Sequence, residues 1–287
     1  MTKNTMKLVM TILVRDEQDI LRENIEFHLS RGVDEIILMD NLSSDATADI
    51  AAEYVRAKVL HYIFQAKDDY SQGRWVTNMA RLACENLGAD WVINSDADEF
   101  WWPGNGSLKE ALEATGPDAL AAEVERTNFV PRPPGPGAFW QRMDIRHRVS
   151  LNVFGMPLPS KIAHRAFADI VVDQGNHAVQ RDDMHLDTVL VPISILHFPV
   201  RSRQQFINKV ALGGAAYARN EHLDPTVGET WRWLYARYLE GKLDDEYANM
   251  VLDQHAIEKG LAEGTLIHDE RLKEALRVLM PPQQLSR

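Results

Sequence analysis

The stretch Trp91-Val92-Ile93-Asn94-Ser95-Asp96-Ala97-Asp98-Glu99-Phe100 constrains the fold more than any other part of this chain. A short apolar run stops abruptly at three acids within four residues, and Trp101, Trp102 and Pro103 follow. That pattern predicts a buried strand that empties into a site at its C-terminal end. Two carboxylates two residues apart on a turn can share one hard cation, with oxygen ligands at about 2.0–2.6 Å, and such a cation suits a diphosphate. The plain alternative is a solvated acidic loop, but loop acids seldom lie between a buried strand and a run of bulky rings.

Earlier segments repeat this rhythm. Leu8 to Val14 is an apolar, β-rich run that ends at Arg15, Asp16 and Glu17. Leu21, Ile25 and Leu29 then recur at helical spacing, and Gly32 closes the helix. Glu35 to Met39 predicts a second strand ending at Asp40, and Asp45 stands where it can cap the next helix. Val59 to Ile63 predicts a third strand, and Val76, Met79, Ala80, Ala83 and Leu87 mark the helix that precedes Trp91. Strand–helix alternation with short connections predicts a doubly wound α/β domain with a mainly parallel sheet. Right-handed crossovers then place every strand's C-terminal end on one edge, where open α/β sheets bind ligands. Arg15 with Glu17, Asp40, and Asp96 with Asp98 are thereby gathered into one cleft.

The rest of the chain is less regular. Ser107 with Glu110, and Ser202 with Gln205, are capping patterns that open helices. Ala119 to Glu125 reads as a strand, Asp144 to Val191 as short mixed or antiparallel strands with loops, and Val189 to Phe198 as one strand running into His197 and Arg201. From Arg203 onward the pattern is helical, with caps expected at Thr230 and Asp269. This divides the chain into residues 1–201, a binding and catalytic domain, and residues 202–287, a helical extension that can dimerise, cover an acceptor or buttress the sheet. A net charge of −11 speaks against a broad nucleic-acid surface. The single cysteine, Cys84, excludes an internal disulfide and fits a reducing compartment. No apolar run approaches the roughly 20 residues of a membrane span. The expectation is a cytoplasmic protein, with transient contact at a membrane surface left open.

Candidate roles follow from placement. Asp96 and Asp98 would hold Mg or Mn, with His197 as a third ligand from a late strand; His197 reads equally well as a hydrogen-bonded wall residue. Asp40 would accept a hydrogen bond from a nucleotide base or ribose, Thr11 to Arg15 would lie beneath the base, and Glu17 would reach the ribose or merely complement a helix dipole. Arg74, Asn78, Lys209 and Arg203 are candidates for the phosphates, each with a surface ion pair as its alternative. Glu99 reads as a residue behind the metal ligands or toward an acceptor. His177 is a candidate base, though exposed loop chemistry is the simpler reading of it. Phe100, Trp101, Trp102 and Trp140 would stack on sugar faces or sit in the core.

Taken together, the strand before Arg15-Asp16-Glu17, the segment Met39-Asp40-Asn41-Leu42-Ser43-Ser44-Asp45 and the segment Asn94-Ser95-Asp96-Ala97-Asp98-Glu99-Phe100 resemble the nucleotide-sugar half of family 2 glycosyltransferases. The acidic turn is similar to that family's DxD motif, and it is closest to a bacterial subgroup in which Glu-Phe continues the turn. In that subgroup a later strand ends in His before a Ser-capped basic helix, as His197-Phe198-Pro199-Val200-Arg201-Ser202 does here. The resemblance implies a GT-A fold and inverting transfer from a nucleoside-diphosphate sugar, chiefly a UDP-sugar. The acceptor would be a glycan or a lipid-linked hydroxyl, as in polysaccharide biosynthesis. It also implies Asp40 on the base, Asp96 and Asp98 on the metal and diphosphate, and His197 on the metal or phosphate. The family's acidic general-base motif has no counterpart, so a carboxylate between residues 118 and 183, or His177, must act. A sugar nucleotidyltransferase would need a glycine-rich loop where Arg15-Asp16-Glu17-Gln18 stands. An Asp-nucleophile phosphatase would carry its acids after the first strand. A non-catalytic nucleotide-sugar binder is the remaining alternative.

Overall fold

Residues 5–221, 223–224 and 227–281 are described by a computed structural model. The expected alternation forms as β1 (Leu8–Val14), α1 (Leu21–Ser30), β2 (Glu35–Asp40), α2 (Thr47–Arg56), β3 (Leu60–Phe64), α3 (Gln72–Glu85) and β4 (Trp91–Asp96). Then follow β5 (Glu99–Pro103), α4 (Leu108–Glu113), β6 (Ala121–Val124), β7 (Arg126–Asn128), α5 (Phe139–Arg142), β8 (Ile145–His147) and β9 (Lys161–Arg165). Short strands β10 (Val171–Val172), β11 (Val179–Arg181), β12 (Met184–His185) and β13 (Thr188–Leu190) precede β14 (Ile193–His197). The chain closes with α6 (Arg203–Arg219), α7 (Glu229–Leu239), α8 (Leu243–Met250), α9 (Gln254–Ala262), β15 (Leu266–His268) and α10 (Arg271–Leu279).

Seven strands form the central sheet in the order β13-β6-β9-β4-β1-β2-β3. β4, β1, β2 and β3 run parallel, and β9 is antiparallel between β4 and β6. Alternation along β1 divides its side chains between two cores. Leu8, Met10, Ile12 and Val14 join a core with α1 and α10, while Val9 joins Ile37, Val92 and the Trp75–Ala83 face of α3. A strand covered on both faces is largely apolar, which is why β1 is hydrophobic except at Thr11, whose hydroxyl is satisfied by Asn94. Register then sets the site: Val14 pairs with Asp40 and Leu13 with Asp96, so the polar strand ends share one edge.

A second sheet of β5-β14-β7 stands beside that edge. The segment expected as one strand from Val189 to Phe198 is divided at Pro192. β13 joins the central sheet and β14 joins β5 and β7. Pro192 has no N–H for a ladder, and its carbonyl instead accepts from Gly104 N at 2.6 Å. The Ser107–Glu110 capping box and the Ser202 cap form as expected. Elsewhere the caps shift by a residue or two. Gly228 caps α7 in place of Thr230, while Asp45 and Asp269 accept from the amides two residues ahead of them. Val200 packs with Phe206, Val210, Leu234, Leu243 and Tyr247 of the C-terminal helices in a cluster of their own, whereas Leu272 and Leu276 of α10 belong to the main core. Among the described residues, no helix is long and apolar enough to cross a membrane.

Candidate active site

The turn between β4 and β5 carries Asp96, Asp98 and Glu99 into a cluster of cations. Asp96 Oδ2 accepts from Lys161 Nζ at 2.7 Å, and Gln72 at the start of α3 reaches Oδ1 at 3.3 Å. Lys161, from β9, is 1 % exposed and lies 3.2 Å from Glu99 Oε1, while Glu99 Oε2 accepts from the Asp96 amide. Asp98 is 1 % exposed; its Oδ2 accepts from Lys209 Nζ of α6 at 2.5 Å and lies 3.9 Å from Arg201. Lys209 also donates to Glu17 at 3.1 Å, and buried Arg201 binds Glu17, Asp19 and the carbonyl of Phe198. Burial alone would raise both aspartates. Lys161 outweighs it for Asp96, and Lys209 foremost outweighs it for Asp98, so both carboxyls stay below the usual carboxylate range.

One strand further along the same sheet edge, beyond β1, lies the end of β2. Asp40 is buried, accepting from Ser43 N and from Tyr62 OH, each at 2.8 Å. Arg15 extends to Asp68 at 2.6 Å, and Arg219 at the end of α6 holds Asp68 from the other side. Tyr70 packs against Tyr217 with the rings tilted by 42° and 4.5 Å between centroids, near enough to Asp96, Asp98 and Glu17 to feel their charge. Thr11 lies deeper than these groups. Its hydroxyl donates to Asn94, whose amide meets His164 Nε2, and His164 Nδ1 donates to the Arg165 carbonyl.

Two histidines border the acids. β14 register places His197 between Glu99 and Asn128. Its Nδ1 donates to Asn128 Oδ1 at 2.6 Å, and its Nε2 lies 3.5 Å from Asp98 Oδ1. His177, on the turn between β10 and β11, donates from Nδ1 to the Ser160 carbonyl at 2.8 Å, which leaves its Nε2 as an acceptor. Burial first and then Lys161 push His177 down to about 4, against the pull of Asp96. Beside it, Asn176 is 1 % exposed and its side-chain amide has no partner among the described residues.

The donor chemistry here fits a hard divalent cation. The lysines bind the Oδ2 atoms, so Asp96 Oδ1 beside Gln72 and Asp98 Oδ1 beside His197 are the oxygens a cation could take, and a His anchored through Nδ1 can offer Nε2 to a metal. Their ligand atoms do not yet converge. Among the described residues, the three-ligand grouping within 4.8 Å is Asp144, His268 and Glu270, where Lys273 already pairs with both carboxylates.

A sequence model of glycosyl transferase family 2 matches residues 10–157, just over half of the chain's 287 residues. The chain belongs to glycosyl transferase family 2. The family match runs from within β1 past β8, and the mixed, mainly parallel sheet flanked by helices is the GT-A architecture expected from the sequence. Among solved structures, S. aureus TarS 1–349 aligns at 11% identity over 82% of this chain and 71% of its own, with a TM-score of 0.42. A mycobacterial protein aligns at 16% identity over 78% and 77%, with a TM-score of 0.38. No curated protein matches.

Within this family 2 chain, Asp96, Asp98, Glu99, Glu17, Lys209 and His197 meet, with Asp40, Arg15 and His177 around them. Arg74 and Asn78 are exposed on α3; Arg74 lies 3.9 Å from Asp69, and neither bonds the acidic turn among the described residues. Arg203 is turned to Asp244 on the surface. Phe100, Trp101 and Trp140 are buried in the main core, and Trp102 packs against it beneath Arg31 and Arg271, so these rings present no free face to a sugar. Lys161, Arg201, Asn128 and Gln72 were not expected as site residues from the sequence. Lys161 and Arg201 carried a readable signal, since each is a cation embedded in or beside an apolar strand.

Proposed function

We propose that this chain transfers a sugar from a nucleoside-diphosphate sugar, a UDP-sugar, to an acceptor hydroxyl with inversion, using Mn or Mg. The observation that carries this reading is the pairing of His197 with Asp98, which joins a late strand to the acidic turn of a family 2 domain. Asp96, Asp98 and His197 would hold the cation. When bound, it supplies positive charge where the leaving diphosphate becomes more negative. Asp40 receives the base N–H, Glu17 faces the ribose, and Lys209 with Arg15 meets the phosphates. Residues 1–201 then hold the donor, and the extension from 202 to 287 lends Lys209. Glu99 holds the Asp96 amide and Lys161 in place rather than touching substrate. His177 Nε2 takes the acceptor proton while the acceptor oxygen bonds to the anomeric carbon and the bond from that carbon to the diphosphate breaks. Its lowered pKa keeps it unprotonated at neutral pH, although a base of that strength acts late in proton transfer.

Thermal shift with UDP-, GDP- and dTDP-sugars, with and without Mn, tests the reading, because a ligand bound to the native state raises the melting temperature. Mn-dependent stabilisation by a UDP-sugar, lost in Asp98→Asn, is expected, together with slow donor hydrolysis. Indifference to every nucleotide sugar sinks it.

A further inference from the structure

The connection between β8 and β9 forms a hairpin that stands out from the site. Asn152 Oδ1 accepts from Phe154 N at 2.9 Å and Met156 N at 3.0 Å, Leu158 N donates to Ser150 O, and Leu151 bridges Pro157. This ordered tip is apolar and uncovered: Val149, Leu151, Val153, Phe154 and Met156 are 38–63 % exposed. Five large apolar side chains in eight residues form a contiguous patch, not the scattered exposure normal for a surface. Successive residues of a hairpin alternate faces, so Leu151 lies on one face and Met156 on the other. A protein partner seated on one face would leave the other in water, whereas hydrocarbon covers both.

Neighbouring chemistry agrees. Phe154 meets Trp233 of α7 edge to face at 6.3 Å. α7 also carries Trp231, Tyr235 and Tyr238, buries only Leu234, and leaves Leu239 69 % exposed. Trp and Tyr favour the level of lipid headgroups. No Asp or Glu occurs between Asp144 and Asp169, in a chain with 42 acids; Arg148 donates to the Gly264 carbonyl and Arg232 to the Val227 carbonyl, and neither has a carboxylate partner among the described residues. The hairpin's roots are tied to the site: Ser150 Oγ accepts from Asn128 N at 2.7 Å, Ser160 O holds His177, and Lys161 holds Asp96.

We propose that the Val149–Met156 hairpin, with α7 beside it, inserts into an anionic phospholipid surface. The contact stands on this geometry; its meaning for the reaction, that acceptor hydroxyls are presented at a membrane, rests on the transferase reading. Flotation of the full chain with phosphatidylcholine vesicles, with and without phosphatidylglycerol, tests it. Co-flotation with the anionic vesicles and a blue shift of Trp emission are expected. The triple variant Leu151→Ser, Phe154→Ser, Met156→Ser is expected to lower partition by about tenfold or more while keeping the wild-type thermal response to UDP and Mn. Wild type that stays with the unbound fraction, or a triple variant that floats equally well, overturns the proposal. A concentration-dependent dimer that the triple variant abolishes, without vesicle binding, assigns the patch to a second copy and also overturns it. Flotation without any nucleotide response defeats the transferase reading and leaves the lipid contact standing.

Discussion

His197 and Asp98 face each other with Nε2 3.5 Å from Oδ1, and Asn128 fixes the imidazole from behind at 2.6 Å. Three separate strands create this relationship. β14 lies between β5 and β7, and its register aligns the histidine with Glu99 on one side and Asn128 on the other. A side-chain amide oxygen at Nδ1 selects the tautomer that leaves Nε2 free, which a neutral imidazole needs in order to bind a cation.

Asn128→Ala should therefore weaken the site without removing a ligand. Loss of a group that orients a metal-binding histidine costs about 10–100-fold in metal affinity. Titration of Mn into the UDP-bound protein, followed by thermal shift, should show the midpoint rise by that factor, with Asn128→Asp recovering much of it. A midpoint unchanged from wild type would mean that His197 needs no orientation, and the ligand assignment would fall.

Lys161 is the second test. It is 1 % exposed and neutralises Asp96 and Glu99 together. Removing one partner of a buried charge pair leaves an uncompensated ion and costs about 3–5 kcal/mol. Lys161→Met should lose stability on that scale in urea unfolding, and Glu99→Gln added to it should restore part of the loss. Additive losses in the double variant would show that the pair is not coupled.

The contrast between these residues shows what the sequence made legible. β1, β2 and β4 were readable because each is a buried run between turn signals, β3 is an edge strand in which only Leu60 is buried, and a parallel sheet then forces Asp40, Asp96 and Glu17 to one edge. The partners of Asn128, Lys161 and Arg201 were not. Their roles depend on which short strand pairs with which, and strands of three to five residues such as β7 and β9 carry too little periodicity to fix that. Pro192 was present in the sequence, yet the division it makes between two sheets needs Gly104 as a partner for its carbonyl, a contact across 88 residues that no local pattern reveals. Trp101 and Trp140 misled for a related reason: rings beside an acidic turn suit a sugar platform as well as a core, and burial decides between them.

Asp40 supplies a test of donor recognition that is independent of the metal. Both its oxygens are engaged, Oδ1 by the Ser43 amide and Oδ2 by Tyr62 OH. Each carboxylate oxygen has a second lone pair, so a base N–H can join without displacing either donor. A hydrogen bond to a charged group is worth about 1.5–3 kcal/mol, so Asp40→Ala should weaken UDP binding by roughly tenfold or more in calorimetry. Its Mn dependence should remain. Tyr62→Phe should leave UDP affinity near wild type and lower stability by about 1 kcal/mol. If Asp40→Ala binds UDP as wild type does, the base lies elsewhere.

Acid titration gives the last prediction. His28 and His164 are fully buried, and burial lowers them to about 3 and about 4; His177 is lowered to about 4 by burial and Lys161. Each has its hydrogen bonds arranged for the neutral ring. Nδ1 donates to a backbone carbonyl in all three, and Nε2 accepts from Trp101 N in His28 and from the Asn94 amide in His164. A depressed histidine stays neutral in the native state while its unfolded counterpart takes a proton near pH 6.5. Between about pH 6.5 and pH 4 the unfolded chain therefore binds more protons, and stability must fall as pH falls. Each histidine contributes a slope of up to about 1.4 kcal/mol per pH unit in that window. Asp96 and Asp98 add to the loss only at lower pH, because their carboxyls sit below the ordinary aspartate range. Urea midpoints at pH 7 and pH 5 should differ clearly, and His177→Gln should reduce the difference by about one histidine's share. Equal midpoints at the two pH values would show that these rings are protonated in the folded protein.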